Sequence, residues 1–218
     1  MKISHFTKTY GSRRVLDVPE LELKKGGIYA VIGANGSGKS TMAKILAGIL
    51  PSDSGEAPIE KSVSVGYMPQ KSYAFRMSAE KNILLRGGDE KRAKELMGRL
   101  GIQGLAKNRA DRLSGGETAR MALARLMMGS YDLVILDEPT AAMDMESTAL
   151  SEELIKDYRK ETGCTMLLVT HSLRQARRLG DEAIFLHGGE IWEQGPVEKV
   201  LFSPEREETA KFLDFYGV

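Results

Sequence analysis

Three short runs carry almost no polar residue: Ile28–Ile32, Leu133–Leu136 and Thr165–Val169. Runs of that length without alternation predict strands buried on both faces of a parallel sheet. Weaker alternation over Lys2–Thr7, Arg14–Leu16 and Glu20–Leu23 predicts short antiparallel strands near the N-terminus, with Pro19 at an edge. Lys8 to Ser12 reads as a polar turn holding one aromatic, and Lys24-Lys25-Gly26-Gly27 as a second turn. Helical spacing runs from Met42 to Leu50 and stops at Pro51; Ser52 to Glu56 is a turn cluster, and Val63–Tyr67 a strand. From Lys71 to about Asp111 strand signals vanish. Helices are predicted there over Ser78–Leu85 and Glu90–Leu100, punctuated by Gly87-Gly88 and Gly101. Further helices follow over Thr118–Met128, Ser147–Lys160 and Ser172–Leu179. A hairpin joins Ala183–His187 to Glu190–Gln194 across Gly188-Gly189, and two short helices, Val197–Phe202 and Glu207–Phe215, finish the chain. Strands alternating with helices predict an α/β fold with a mainly parallel sheet and crossover helices.

Bulk properties narrow the class. The 218 residues suffice for one α/β domain with a good core. Hydrophobic content of 42% and charged content of 28% are ordinary for a globular protein. A formal net charge of +1 gives no reason to expect a nucleic acid or an acidic membrane surface as partner. No apolar run approaches the roughly 18 residues a membrane span needs, and the first residues lack the apolar core of a signal peptide. Cys164 is the one cysteine, so no internal disulfide or cysteine metal cluster forms; it reads as a small core residue. The expected compartment is the cytoplasm.

The chemistry concentrates after the first apolar run. Gly33-Ala34-Asn35-Gly36-Ser37-Gly38-Lys39-Ser40-Thr41 has the form G-x-x-x-x-G-K-S, the P-loop or Walker A pattern, between a predicted strand and a predicted helix. Gly33, Gly36 and Gly38 let the backbone curl close to a polyphosphate, and the loop amides and helix N-terminus then face the anion. The pattern assigns Gly33, Asn35, Gly36, Ser37, Gly38, Lys39, Ser40 and Thr41 to a nucleotide. Lys39 reaches the β- and γ-phosphates and Ser40 ligates Mg²⁺. Leu133 to Leu136 followed by Asp137 and Glu138 has the Walker B form. A carboxylate at the carboxyl end of a buried parallel strand sits where ligands bind in such sheets. Asp137 is placed to hold the Mg²⁺, and Glu138 to take a proton from attacking water.

Leu113-Ser114-Gly115-Gly116-Glu117, lying between those two motifs, completes a resemblance to the ATP-binding cassette (ABC) ATPases over nearly the whole chain. It matches the family's signature LSGGQ except for Glu117. On physical grounds Ser114 caps a helix whose Gly115 and Gly116 amides form a second phosphate-binding surface. The resemblance implies a P-loop NTPase core with an N-terminal antiparallel β subdomain and a small α-helical insert. It makes the chain a single ABC domain, with core segments 1–70 and 112–218 and the insert at 71–111. It implies ATP and Mg²⁺, and two cassettes stacked head to tail as a homodimer, Ser114 to Glu117 of one covering the γ-phosphate held by the other. It further implies that Tyr10 stacks on adenine, Gln70 contacts Mg²⁺ and the attacking water, Asp144 lies in the D-loop and His171 contacts the γ-phosphate. Ala141 stands where the family more often has serine. His5 and His187 match no motif and read as structural.

The resemblance also implies a load. A cassette without a membrane span works through separate transmembrane permease subunits on the inner face of the membrane. Tyr73, Phe75, Arg76 and Met77 are candidates to line the groove that receives them. The short insert, with Glu138 to Asp144, gives the chain a resemblance to the compact cassettes of importers of oxyanions such as tungstate, molybdate or phosphate, which work with an extracytoplasmic binding protein. An exporter or lipoprotein-release cassette is the alternative load. A soluble ABC ATPase acting on nucleic acid is a rival class, opposed by the near-zero charge and by the mere 70 or so residues between Ser40 and Leu113.

Overall fold

The computed structural model describes residues 1–216. Gly217 and Val218, the end of the expected core segment 112–218, lie outside the described residues. In chain order the strands are β1 (Lys2–Ile3), β2 (Phe6–Tyr10), β3 (Arg13–Val18), β4 (Leu21–Glu22), β5 (Ile28–Ile32), β6 (Val65–Met68), β7 (Leu133–Asp137), β8 (Thr165–Val169), β9 (Glu182–His187) and β10 (Glu190–Pro196). The α-helices are α1 (Lys39–Leu46), α2 (Ala79–Ile83), α3 (Glu90–Arg99), α4 (Gly115–Met127), α5 (Met145–Thr162), α6 (Leu173–Leu179), α7 (Val197–Phe202) and α8 (Glu207–Tyr216). The fold is α/β with a mostly parallel sheet, as the alternation of patterns predicts.

The chain divides into two compact units. The first comprises Met1–Val65, Asp132–Asp137 and the chain from Gly163 onward. Its sheet runs β2-β3-β10-β9-β5-β8-β7. Strands β9, β5, β8 and β7 are mutually parallel, while β10 returns antiparallel beside β9, and β2 beside β3. Every residue of β5, β7 and β8 is buried, which is why those stretches read as unbroken apolar runs. The N-terminal antiparallel strands do two different things. β1 and β4 pair alone, whereas β3 joins the main sheet through Glu190 opposite Asp17. Cys164 is buried and, as the one cysteine of the sequence, forms no internal disulfide.

Element boundaries depart from the sequence reading most clearly at the N-terminus and after α1. The expected strand Lys2–Thr7 breaks at Ser4-His5, and the expected turn Lys8–Ser12 is mostly strand, since β2 runs to Tyr10 and only Gly11-Ser12 turn. The polar residues of β2 pair with β3 on one edge and with a distant carboxylate on the other, a contact that local composition does not encode. α1 ends at Leu46, not Leu50, because Gly48 takes a left-handed φ of 70°.

The second unit comprises Gly66–Tyr131 and Glu138–Thr162. Helices α2, α3 and α5 pack on α4. Tyr158 donates to the Gly129 carbonyl at 2.8 Å, and Arg99 pairs with Asp157 at 2.6 Å. Asn82 is fully buried. Its side chain accepts from Phe75 N–H and donates to Phe75 and Ser78 carbonyls, pinning an otherwise irregular stretch.

Candidate functional site

In the first unit the strands β5, β7 and β8 are parallel, so the segments leaving their carboxyl ends gather on one side of the sheet. Those segments are Gly33–Gly38, the side chain of Asp137, and Thr170-His171. This follows from order and direction alone.

The Gly33–Gly38 loop is shaped by contacts that only glycine allows. A Cβ on Gly33 would stand 2.1 Å from the Leu186 carbonyl oxygen, and one on Gly38 would stand 2.6 Å from Leu16 Cδ2. Both residues have positive φ, 149° and 106°. Gly38 begins α1 with no side-chain cap and no acid in the first turn, so the helix N-terminus offers its amides to an anion. Lys39 is buried and donates to the Gly33 and Ala34 carbonyls at 2.7 and 2.9 Å, which sets its ammonium inside the loop. Ser37 Oγ is buried and makes no hydrogen bond among the described residues. A buried hydroxyl left so costs about 1–3 kcal/mol, and a phosphate oxygen in the loop would satisfy it. Asn35 and Gly36 are exposed at the loop tip, and Thr41 is half-buried on α1.

Ser40 Oγ donates to Asp137 Oδ1 at 3.1 Å, and Asp137 is 1% exposed. One hydroxyl and one carboxylate oxygen side by side fit Mg²⁺, a hard cation that takes few protein oxygens and completes its shell with phosphate and water. His171 is exposed just past β8. The buried Thr170 accepts the Ser172 N–H at 3.0 Å and so shapes the turn that carries it. Tyr10 ends β2 and is 52% exposed.

The second unit holds the remaining candidates. Gln70, Gly115, Thr118, Ala119, Glu138 and Ala142 line an open cavity of about 370 Å³. A Cβ on Gly116 would stand 2.8 Å from the Ala142 carbonyl oxygen, so the start of α4 packs tightly on the loop between Glu138 and Asp144. Ser114 and Glu117 form a reciprocal capping box: Ser114 N–H and Oγ–H donate to Glu117 Oε2 at 2.7 and 2.8 Å, and Glu117 N–H donates to Ser114 Oγ at 3.3 Å. The bond from the Ser114 amide holds the Glu117 carboxyl below the ordinary glutamate range. Asp144 accepts the Ser147 N–H at 2.8 Å at the start of α5, and that bond lowers its carboxyl in the same way. Glu138 alone among the described non-glycine residues has positive φ, 49°.

A second cavity of about 370 Å³ in this unit is lined by Tyr67, Pro69, Phe75, Leu85, Arg125 and Tyr131, among others. Of the expected groove residues, Phe75 lines it. Tyr73 meets the Phe75 ring edge-on at 4.9 Å, and Arg125 donates to the Tyr73 carbonyl at 2.9 Å. The sequence reading did not place Arg125 or Leu85 in this groove, because their share in the cavity depends on the single turn Leu84–Arg86 after α2 packing against α4.

Residues 16–141 match the ABC transporter family. That span includes Gly33–Thr41, Gln70, Ser114–Glu117, Asp137 and Glu138, whereas Tyr10, Asp144 and His171 lie outside it. The chain is 37% identical over 207 residues to a tungstate uptake system ATP-binding protein of Peptoclostridium acidaminophilum, an alignment covering 88% of this chain and 96% of that one. It is 39% identical over 190 residues to a zinc import ATP-binding protein of Chelativorans sp. (strain BNC1), covering 85% of this chain and 67% of that one. Its fold superposes on a bacterial ABC transporter cassette described as dimeric, with a TM-score of 0.80 and 27% identity over 90% of this chain and 98% of that one.

Proposed function

Because the chain belongs to the ABC transporter family and is an ATP-binding, ATP-hydrolysing cassette, we propose that it powers import of an oxyanion such as tungstate through separate permease subunits. The observation that carries the ATP reading is the loop Gly33–Gly38, which opens an uncapped helix with Lys39 inside it and Ser40 paired to Asp137. The near full-length match to the tungstate uptake protein favours an oxyanion as cargo. The match to the zinc import protein keeps zinc as the second reading.

In this reading the chain's own groups divide the work. Lys39 binds the β- and γ-phosphates, and the α1 amides with Ser37 Oγ hold the remaining phosphate oxygens. Ser40 and Asp137 would hold Mg²⁺, with Gln70 as a further oxygen ligand. Bound there, the ion would supply neutralisation of the charge that builds on the phosphates. Glu138 accepts the proton of the attacking water. His171 and Gln70 orient the γ-phosphate and that water. Tyr10 stacks on adenine. Ser114, Gly115, Gly116 and Glu117, backed by Asp144, cover the γ-phosphate bound by a second copy of the chain, making a two-fold homodimer in which the surface presented is the same on both copies. The cassette forms one domain with residues 71–111 as a helical insert. The cavity at Phe75, Leu85 and Tyr131 receives the permease, so the cassette sits at the cytoplasmic face of the membrane; no described helix is long and apolar enough to cross one. An extracytoplasmic binding protein delivers the cargo, and no nucleic acid takes part.

The test is uptake by cells lacking this chain and complemented with wild type or Lys39→Ala, with intracellular tungsten and zinc measured by mass spectrometry. Tungsten accumulation restored by wild type and not by Lys39→Ala supports the proposal. Restoration of zinc alone moves the reading to zinc, and restoration of neither removes import of both.

A further inference from the structure

A single carboxylate in the first unit holds the outer edge of the strand that carries Tyr10. Asp53 lies in the turn after α1. Its Oδ1 accepts the Thr9 N–H at 2.9 Å, and its Oδ2 accepts the hydroxyls of Thr7 and Thr9 at 3.0 and 2.9 Å. Its own N–H donates to the Thr7 carbonyl at 3.0 Å. β2 is the outermost strand of its sheet, so these groups would otherwise face solvent. The β2–β3 ladder shifts register between Lys8 and Thr9, and Asp53 takes the amide at that irregularity, one residue before Tyr10. The same turn reaches Tyr10 by a second route. Pro51 carbonyl accepts Lys8 Nζ at 2.8 Å, and that ammonium stands 5.5 Å from the Tyr10 ring centre. The Thr9 amide, with the two hydroxyls, holds the Asp53 carboxyl below the ordinary aspartate range, so it is ionised at neutral pH.

We propose that Asp53 is a positioning residue for the nucleotide base: acting through Thr9 and Lys8, the Pro51–Asp53 turn sets the Tyr10 ring and ties it to the helix that the phosphate loop opens. The proposal rests on Tyr10 being the base platform. The end of an edge strand beside Gly11-Ser12 frays unless it is held. Ordering it before the base arrives removes that cost from binding. Asp53 touches no group of the phosphate loop in any hydrogen bond described above, so its effect belongs to the base and not to the triphosphate.

The experiment is equilibrium binding of ATP and of inorganic tripolyphosphate, both with Mg²⁺, to wild type, Tyr10→Ala, Asp53→Ala, the double variant and Asp53→Asn. Tyr10→Ala is expected to weaken ATP about tenfold or more and to leave tripolyphosphate unchanged. Asp53→Ala is expected to weaken ATP about threefold to tenfold, again sparing tripolyphosphate, and the double variant to match Tyr10→Ala alone. Asp53→Asn keeps an oxygen for the Thr9 amide and is expected to recover part of the loss. It carries the test if thermal unfolding shows Asp53→Ala to be unfolded. Equal weakening of tripolyphosphate, or the full Asp53 effect persisting in the Tyr10→Ala background, would leave Tyr10 as the platform and overturn the role of Asp53. Unchanged ATP affinity in Tyr10→Ala would remove the platform itself, and the proposal with it.

Discussion

Glu138 occupies a left-handed backbone conformation directly before Pro139, where a following proline already narrows the choice. Such a φ costs a side chain with a Cβ of the order of 1–3 kcal/mol. Glycine at this position would relieve that strain while loosening the unfolded chain. Glu138→Gly is therefore expected to be about 0.5–1 kcal/mol more stable than Glu138→Gln in urea unfolding. Both variants are expected to lose ATP hydrolysis if Glu138 takes the water's proton. A Glu138→Gln chain at least as stable as Glu138→Gly would mean that the backbone there carries no strain. The Walker patterns mark Lys39, Ser40, Asp137 and Glu138 by spacing alone. Nothing local marks Asp53, which sits in a turn cluster that composition describes only as a turn.

Among the elements, the β9–β10 hairpin does more than its sequence suggests. Its turn, Gly188-Gly189, reaches the phosphate loop: Gly189 N–H donates to the Ser37 carbonyl at 3.1 Å, and the Gly189 carbonyl accepts the Asp17 N–H at 2.9 Å. A Cβ on Gly189 would stand 2.4 Å from the Val15 carbonyl oxygen, whereas one on Gly188 meets nothing within 4 Å. Both have positive φ, so Gly188→Ala serves as the control for backbone strain. Gly189→Ala must in addition displace β3 or the turn, and is expected to cost at least about 1 kcal/mol more than Gly188→Ala. It should also raise the KM for ATP severalfold, because the turn no longer braces Ser37. Equal stability and equal KM in the two variants would detach the hairpin from the loop. The pairing of Ala183–His187 with Glu190–Gln194 was legible from the glycine pair between them. The brace was not, because Ser37 and Gly189 are far apart in sequence.

For the whole molecule the expected assembly is two copies closed by nucleotide. Size-exclusion chromatography of wild type and Glu138→Gln, each with and without Mg-ATP, tests it. A Glu138→Gln dimer present only with ATP, beside a monomeric wild type, is the expected outcome, since nucleotide then stabilises the closed pair and turnover opens it. Monomers throughout with ATP bound would count against a sandwich formed by this chain alone.

The order of elements, the α/β class and the nucleotide loop were decided by the sequence itself. Unbroken apolar runs of four or five residues, too short for a buried helix, are satisfied in a sheet covered on both faces, and a glycine-lysine-serine loop between strand and helix has one common chemical use. Other features waited on tertiary structure: that Lys8–Tyr10 is strand, that α1 stops at Leu46, that the Gly33 loop leans on Leu186 and Ser37 on Gly189, and that Arg125 and Leu85 share a cavity. Each of the packing contacts depends on residues brought together from distant parts of the chain. Local pattern states what a segment needs, a buried face or an edge, and leaves open which distant group supplies it.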